Sequence, residues 1–209
     1  KKLNFMDKNR PIISVLMPVH NGADFLEESV ESILSQTFCN FELIISDDGS
    51  TDCTSQMLKN FAETDSRVRL SRNYSRQGVS STLNQAARLA RGSLLARMDA
   101  DDWSCRNRFE VQLEKFEENP DLAICGSNVI HGDEEMRPLF RTVLPKSDWD
   151  IRCAALFENP FAHPSVMIKA EVFRQVGGYD EQYSTSQDYE LWIRLLSRGQ
   201  GCNSSDPLV

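Results

Sequence analysis

The sequence has no excess of positive charge, few histidines and no long apolar run. Lys and Arg number 23 against 31 Asp and Glu, so the net charge is −8 and no broad basic surface for nucleic acid is expected. No apolar stretch is long enough to span a bilayer, and no secretory signal pattern occurs. With three histidines and no C-x-x-C pair, the usual zinc-site spacings are excluded.

The cysteines are single and widely spaced along the chain. They are Cys39, Cys53, Cys105, Cys125, Cys153 and Cys202. Scattered cysteines in a chain of 209 residues fit reduced thiols better than a disulfide framework. We therefore expect a cytoplasmic protein that has no nucleic-acid partner.

Predicted strands and helices alternate along the first 125 residues. Apolar runs such as Ile12–Met17, which Pro18 is expected to end, and Phe41–Ser46 are typical of buried strands. The order β-α-β-α-β-α-β-α-β favours an α/β fold with a mostly parallel, doubly wound sheet and helices on both faces. After about Gly132 the sequence becomes polar and proline-interrupted, so we expect a loop or an antiparallel excursion there.

The stretch from Leu94 to Trp103 combines a predicted buried strand with a cluster of acids. Five mostly apolar residues are followed by Asp99, Asp101 and Asp102. Clustered carboxylates repel one another and need a counter-charge, which a hard cation such as Mg²⁺ or Mn²⁺ can supply. The alternative is a solvated acidic turn that caps the following helix, a role that suits Asp102 in particular.

Polar residues also follow two other predicted strands, at Pro18–Asn21 and Asp47–Ser50. In open α/β sheets, ligands bind in the crevice beyond the carboxyl ends of the strands, so the three groups have the makings of one site. A carboxylate such as Asp48 suits a base N–H, and Asp101 suits a metal that holds a diphosphate. Asp47 has the alternative role of a turn or N-cap residue.

Seven motifs follow one another in the order of a known family. They are Ser14–Gly22, Glu42–Asp52, Gly78–Asn84, Ala96–Asp102, His163–Met167, Gly177–Asp180 and Gln187–Leu195. Their combination resembles family 2 glycosyltransferases of the GT-A fold, which are inverting, nucleotide-sugar-dependent enzymes of the bacterial surface-polysaccharide type. The resemblance covers roughly Pro11 to Arg198 and implies transfer of a sugar from a UDP-sugar to a hydroxyl acceptor.

The resemblance also implies roles on the donor side. Asp48 would hydrogen-bond the uracil ring, with Pro18 and His20 in the wall of the same pocket. Asp99 and Asp101 match the D-x-D motif of the family. This match implies that Asp99 binds the nucleotide and that both acids hold Mn²⁺ or Mg²⁺, with Asp101 as the more direct ligand.

On the acceptor side, Asp188 matches the general base that deprotonates the acceptor hydroxyl. The implied acceptor is a saccharide or a lipid-linked saccharide. The family often has an acidic residue just before the base, where this chain has Gln187, so no second carboxylate tunes the pKa of Asp188.

The expected organisation is a GT-A catalytic domain at 11–198, with a nucleotide-sugar-binding half at 11–130 and an acceptor-side half at 131–198. Residues 1–10 are expected to be a disordered or vector-derived lead. Residues 199–209 lack a pattern and are expected to be the tail of a truncated chain. The segment missing from such a chain would give peripheral contact with the inner face of a membrane.

Two alternatives stay open. One is a nucleotide-sugar-binding module without turnover, which Gln187 favours and which hydrolysis of a donor to free UDP would exclude. The other is an aspartyl-phosphate phosphatase, because Asp99-x-Asp101 resembles its D-x-D motif. That class needs the pair after its first strand, with a small hydroxylated or β-branched residue where this chain has Trp103.

Overall fold

The computed structural model describes residues 10–133 and 137–209. Of the lead expected at residues 1–10, all but Arg10 lies outside the described residues. The α/β architecture predicted from the sequence is confirmed: one sheet of mostly parallel strands carries helices on both faces. No helix in the described part of the chain combines the length and the apolar content of a membrane span.

Eight strands in the described residues form the sheet: β1 (Ile13–Val19), β2 (Phe41–Asp48), β3 (Val68–Asn73), β4 (Leu94–Arg97), β5 (Leu122–Gly132), β6 (Pro138–Thr142), β7 (Met167–Lys169) and β8 (Gln200–Pro207). Their order across the sheet is β3-β2-β1-β4-β7-β5-β6, and β8 also pairs with β5. The central strand β1 runs parallel to both β2 and β4, and β3 runs parallel to β2. Strands buried on both faces read as continuous apolar runs, which is why β1, β2 and β4 were predictable.

Helices cover the two faces of this sheet. In the described residues they are α1 (Leu26–Leu34), α2 (Thr54–Thr64), α3 (Val79–Leu89), α4 (Arg108–Glu118), α5 (Asp148–Ala154), α6 (Ala170–Gln175) and α7 (Gln187–Leu196), with a short 3-10 helix at His163–Ser165. One core joins the sheet to α1, α2 and α4, and a second joins it to α3, α5, α6 and α7. Successive residues of β1 serve opposite cores, because side chains alternate across a strand: Val15 and Met17 pack into the first and Leu16 into the second.

The antiparallel excursion expected after Gly132 is confirmed, since β6 pairs with β5 in antiparallel register. The strand β5 runs across the expected junction between the two halves at residues 130 and 131. A second antiparallel strand, β7, stands between β4 and β5 and pairs with both. The alternation of strands and helices in the sequence gives no sign of this insertion.

The prediction that residues 199–209 form a tail without pattern is wrong, because Gln200–Pro207 form β8 beside β5. The strand was missed because it carries polar side chains instead of an apolar alternation. Asn203 is buried, and its Nδ2 atom donates to the carbonyls of Pro145 and Pro160 at 2.7 and 3.0 Å. Hydrogen bonds of this kind allow a polar strand to be buried.

Candidate active site

The carboxyl ends of β2, β1 and β4, which are neighbours in the sheet, bring the predicted donor-side residues together. Asp48 is the last residue of β2, His20 directly follows β1, and Asp99 lies two residues beyond the end of β4. The expectation that these strand ends share one edge of the sheet is therefore confirmed for the three groups of polar residues.

Pro18 lies within β1, so the prediction that it ends the strand is wrong. The pairing of β1 with β4 ends at Leu16, which faces Arg97 and accepts a hydrogen bond from the N–H of Met98. Beyond Leu16, β4 no longer pairs with β1, so it would not accept a hydrogen bond from a backbone N–H at position 18. The lack of an N–H in Pro18 therefore costs no hydrogen bond between strands, and its half-buried ring stays in the wall of the site.

The loops after β1 and β2 are tied together by side chains. Nδ1 of His20 lies 2.9 Å from the carbonyl oxygen of Asp48, and because a carbonyl can only accept, Nδ1 carries the proton. Asn21, at φ +52°, donates its N–H to Oγ of Ser50 and accepts from the N–H of Thr51. Hydrogen bonds therefore join the two loops into one wall.

The carboxylate of Asp48 is almost fully buried, at 5% exposure, and receives three hydrogen bonds of 2.8 Å. Nδ2 of Asn73 and the N–H of Gln77 donate to Oδ1, and the N–H of Gly78 donates to Oδ2. Burial raises the pKa of Asp48, but these hydrogen bonds together lower it below its ordinary value. Asp48 thus stays ionised and anchors the start of α3, while Oδ2 keeps acceptor capacity for a ligand.

Asp47 has the geometry of a turn residue. Its Oδ1 accepts from the N–H of Ser50 at 2.8 Å, and its Oδ2 accepts from the hydroxyl of Ser55. Gly49, at φ +74°, completes the turn, and a Cβ there would lie 2.9 Å from the carbonyl carbon of Ser75. The turn alternative for Asp47 agrees with these contacts.

The three acids beyond β4 form one cluster, in which a ligand oxygen from each lies within 4.8 Å of the others. Asp101 is exposed, and Asp99 and Asp102 are partly buried. Burial raises the pKa of Asp102, as do the charges of Asp99 and Asp101, and it reaches about 6. The alternative in which Asp102 caps the next helix is wrong, because α4 begins at Arg108 with Asn107 as its N-cap.

Two buried arginines lie beside this cluster. Arg97, the last residue of β4, forms an ion pair with Asp99. Arg108 is fully buried and donates to the carbonyls of Arg97 and Val166, at 2.8 and 3.3 Å. Burial lowers the pKa of Arg108 to about 10, so it remains charged at neutral pH. Neither arginine was assigned a role from the sequence, although a charge at the end of the apolar β4 run signals a buried counter-ion.

Asp188 lies in the first turn of α7, and its Oδ2 accepts a hydrogen bond of 2.7 Å from Nδ2 of Asn159. The Oδ1 atom of Asn159 accepts from the N–H of Phe161 at 3.3 Å, which fixes the amide. The carboxylate is half-buried. Asn159 was missed because an isolated asparagine 29 positions from Asp188 has no spacing that connects the two.

A group of packed aromatic side chains lies near both Asp188 and Asp99. Nε2 of His163 lies 2.7 Å from the hydroxyl of Tyr179, and the His163 ring contacts Trp192 edge-on. Burial and the charge of Arg97 hold the pKa of His163 well below its ordinary value, so the ring is neutral. Burial raises the pKa of Tyr179, as do the charges of Asp188 and Asp99. Tyr179 therefore lies within electrostatic reach of both acids.

The sequence matches the family described as Glycosyl transferase family 2 over residues 14–172. The chain belongs to this family. The O-antigen biosynthesis glycosyltransferase WbnJ of Escherichia coli is 36% identical over 190 residues, which are 89% of this chain and 72% of that protein. The phosphatase alternative has no support, because the Asp pair follows β4 and not the first strand.

Two solved structures share the GT-A fold of this family 2 glycosyltransferase. S. aureus TarS in complex with UDP superposes with a TM-score of 0.78 at 16% identity, over 94% of this chain and 58% of that one. The mannosyltransferase PcManGT of Pyrobaculum calidifontis, in complex with GDP-Man and Mn²⁺, gives a TM-score of 0.73 at 21% identity, over 96% and 56%. The chain thus spans less than two thirds of either solved chain.

Proposed function

We propose that this glycosyltransferase moves a sugar from a UDP-sugar to a hydroxyl acceptor with inversion, in the assembly of a surface polysaccharide. The observation that carries the proposal is the convergence of Asp48 and the acid cluster at one edge of the sheet. The UDP complex of TarS supports the donor, and the O-antigen name of WbnJ supports a saccharide or lipid-linked saccharide acceptor.

In this proposal the uracil N–H donates to the free acceptor position on Oδ2 of Asp48. His20 and Pro18 line the same wall. The ionised state of Asp48 favours this contact, since a hydrogen bond to a charged acceptor is stronger than one between neutral groups.

The acid cluster fits a hard divalent cation, Mn²⁺ or Mg²⁺, because it offers carboxylate oxygens and no softer ligand. Asp101 is its exposed member and the proposed direct ligand, with Asp99 beside it. When bound, such a cation supplies positive charge to the departing nucleoside diphosphate. The Mn²⁺ complex of PcManGT supports this assignment.

Asp188 accepts the proton of the acceptor hydroxyl as its oxygen attacks the anomeric carbon. A new C–O bond forms on one face of the sugar while the bond to the diphosphate breaks on the other, so the configuration inverts. Asn159 holds the carboxylate in one orientation, and geometry precedes basicity in general-base catalysis.

The test is a thermal-shift series with UDP and GDP, each with Mn²⁺ or EDTA, followed by an assay for release of UDP from UDP-sugars. We expect UDP to stabilise the protein more in Mn²⁺ than in EDTA, because a bound ligand adds to the free energy of unfolding. Asp101→Ala should remove the metal-dependent increment. Glu117→Ala, an exposed acid on α4, is the matched control. A GDP shift larger than the UDP shift would change the donor, and binding without any turnover would favour the binding-module alternative.

A further inference from the structure

Cys125 and Cys202 face each other on the neighbouring strands β5 and β8. The two strands run parallel, and the two cysteines are partners in their register. Paired Cα atoms on adjacent strands lie about 4.7–4.9 Å apart, and a disulfide needs a Cα separation of about 4.4–6.8 Å. The backbone therefore already holds the two residues at a distance that a bond between their sulfurs can span.

The side chains of the two cysteines lie on the same face of the sheet. Cys125 is a fully buried member of the core that joins the sheet to α1, α2 and α4, and Cys202 packs against that core while it stays partly exposed. The two side chains hydrogen-bond to each other. All six cysteines are free thiols in this structure, so the pair is in its reduced form.

The surroundings make Cys202 the more reactive thiol of the two. Its pKa lies below the ordinary value, because the hydrogen bond with Cys125 and the ammonium of Lys115 on α4 lower it more than burial and the charge of Glu118 raise it. The same hydrogen bond, together with burial, holds the pKa of Cys125 well above the ordinary value. Since the thiolate is the nucleophile, the partly exposed Cys202 reacts first, with Cys125 protonated beside it.

We propose that Cys202 and Cys125 form a modification site for hydroperoxides, at which oxidation links β8 to β5 through a reversible disulfide. With hydrogen peroxide, the Cys202 thiolate attacks the O–O bond, becomes a sulfenic acid and releases hydroxide. The sulfur of Cys125 then attacks the sulfur of Cys202. An S–S bond forms, and the sulfenic hydroxyl leaves as water with the proton of the Cys125 thiol. Two electrons pass from the two thiols to the peroxide.

A second thiol within reach also decides how far the oxidation goes. A sulfenic acid without a resolving thiol is oxidised further to sulfinic acid, which is not reduced by simple thiols, whereas a disulfide is. Cys125 therefore keeps the modification of Cys202 reversible. Neither cysteine belongs to the candidate active site, so the inference does not depend on the proposed transfer reaction.

The test treats the reduced protein with equimolar hydrogen peroxide, blocks the remaining thiols with N-ethylmaleimide in urea and digests the product with trypsin. Trypsin places Cys125 in the peptide 116–141 and Cys202 in the peptide 199–209, and neither peptide contains another cysteine. We expect mass spectrometry to find these two peptides joined, and dithiothreitol to separate them. The urea midpoint of the oxidised protein should rise, because the link restricts the unfolded chain.

Variants identify the two thiols. Cys202→Ser and Cys125→Ser should each abolish the link, whereas Cys153→Ser, which removes an exposed thiol, is the matched control and should keep it. If Cys125→Ser does not fold, the linked peptides of the wild type and their loss in Cys202→Ser decide. Lys115→Met should slow formation of the link about two- to fivefold, because less Cys202 is then ionised, and Lys115→Arg should restore the rate.

Two results would overturn the inference. In the first, Cys125 and Cys202 are both recovered with bound maleimide while the exposed Cys39, Cys53 or Cys153 has consumed the peroxide. In the second, Cys202 is recovered as sulfinic acid and Cys125 carries maleimide, which would show that Cys125 does not reach the sulfenic acid.

Discussion

The carboxylate of Asp188 is oriented by the side-chain amide of Asn159, which donates to it across 2.7 Å from a loop 29 positions earlier in the chain. The family pattern often has an acidic residue directly before the base, where this chain has Gln187. The side-chain contact to Asp188 comes from Asn159 instead. An amide can donate a hydrogen bond to a carboxylate, which a second carboxylate cannot do when it is ionised. The proposed base therefore depends on Asn159 for its orientation.

The first prediction concerns Asp188. Asp188→Asn keeps the shape of the side chain but cannot accept a proton. It should lower single-turnover sugar transfer by about 10²–10⁴-fold, the usual contribution of a general base, while UDP binding stays intact. Near-normal transfer would show that another group takes the proton, with Glu190 and Asp180 as the next candidates.

The second prediction concerns Asn159. Asn159→Ala should lower the transfer rate by about 10- to 100-fold, because a misplaced catalytic group loses much of its effect, and should leave UDP affinity unchanged. Asn159→Asp sets two carboxylates side by side, so the pKa of the pair rises and the acidic limb of the pH–rate profile should move to higher pH. Gln187→Ala, which changes the residue next to Asp188, is the control and should keep the wild-type profile.

The third prediction concerns Asp48, which has two separable effects. Asp48→Ala should weaken UDP binding about tenfold or more, since a hydrogen bond to a charged group contributes roughly 1–3 kcal/mol. It should also lower the free energy of unfolding, because the N–H groups of Gln77 and Gly78 lose their acceptor. Asn73→Ala removes one donor to Asp48 and should lower stability with little effect on UDP affinity. Calorimetry and urea unfolding measure the two effects, and unchanged UDP affinity in Asp48→Ala would place Asp48 outside the pocket.

The fourth prediction concerns the pH dependence of stability in the metal-free protein. Burial and the charges of Asp99 and Asp101 raise the pKa of Asp102 from its ordinary value of 3.8 to about 6 in the folded state, so its ionisation lowers the free energy of unfolding as pH rises from 3.8 through 6. Asp102→Asn does not ionise and avoids this cost. It should therefore be more stable than the wild type above pH 6, with the gain lost below about pH 4. Urea unfolding in EDTA at several pH values tests this, and a gain that is the same at all pH values would contradict it.

The sequence was sufficient for those parts of the fold that leave a local pattern. The strands β1, β2 and β4 are apolar runs, and the acids Asp48, Asp99 and Asp101 stand directly at or after their ends. The insertion of β7 between β4 and β5 could not be predicted, because strand order depends on pairing between distant segments. β8 was missed because its polar side chains are satisfied by hydrogen bonds.

The same distinction applies to the candidate site. Acids at strand ends were recognisable, whereas Arg97 and Asn159 act through single contacts with Asp99 and Asp188 that only the folded chain brings about. Asp102 was wrongly predicted to cap the following helix, because an acidic residue shortly before a predicted helix usually suggests an N-cap. In the fold, α4 begins six positions later, at Arg108.

The position of β7 also bears on how the protein is made. The strands β3, β2, β1 and β4 can pair once the chain as far as Arg97 has left the ribosome, but the free edge of β4 stays unpaired until Met167–Lys169 have emerged. Until Met167–Lys169 have emerged, β5 can pair only with its hairpin partner β6. Its pairing with β8 is complete only when residue 207 has emerged. Pairing over such separations is slow, and open strand edges invite association with other chains. The backbone that fixes Arg97 is completed by Val166, so the nascent chain acquires its charged centre only after residue 166 has emerged.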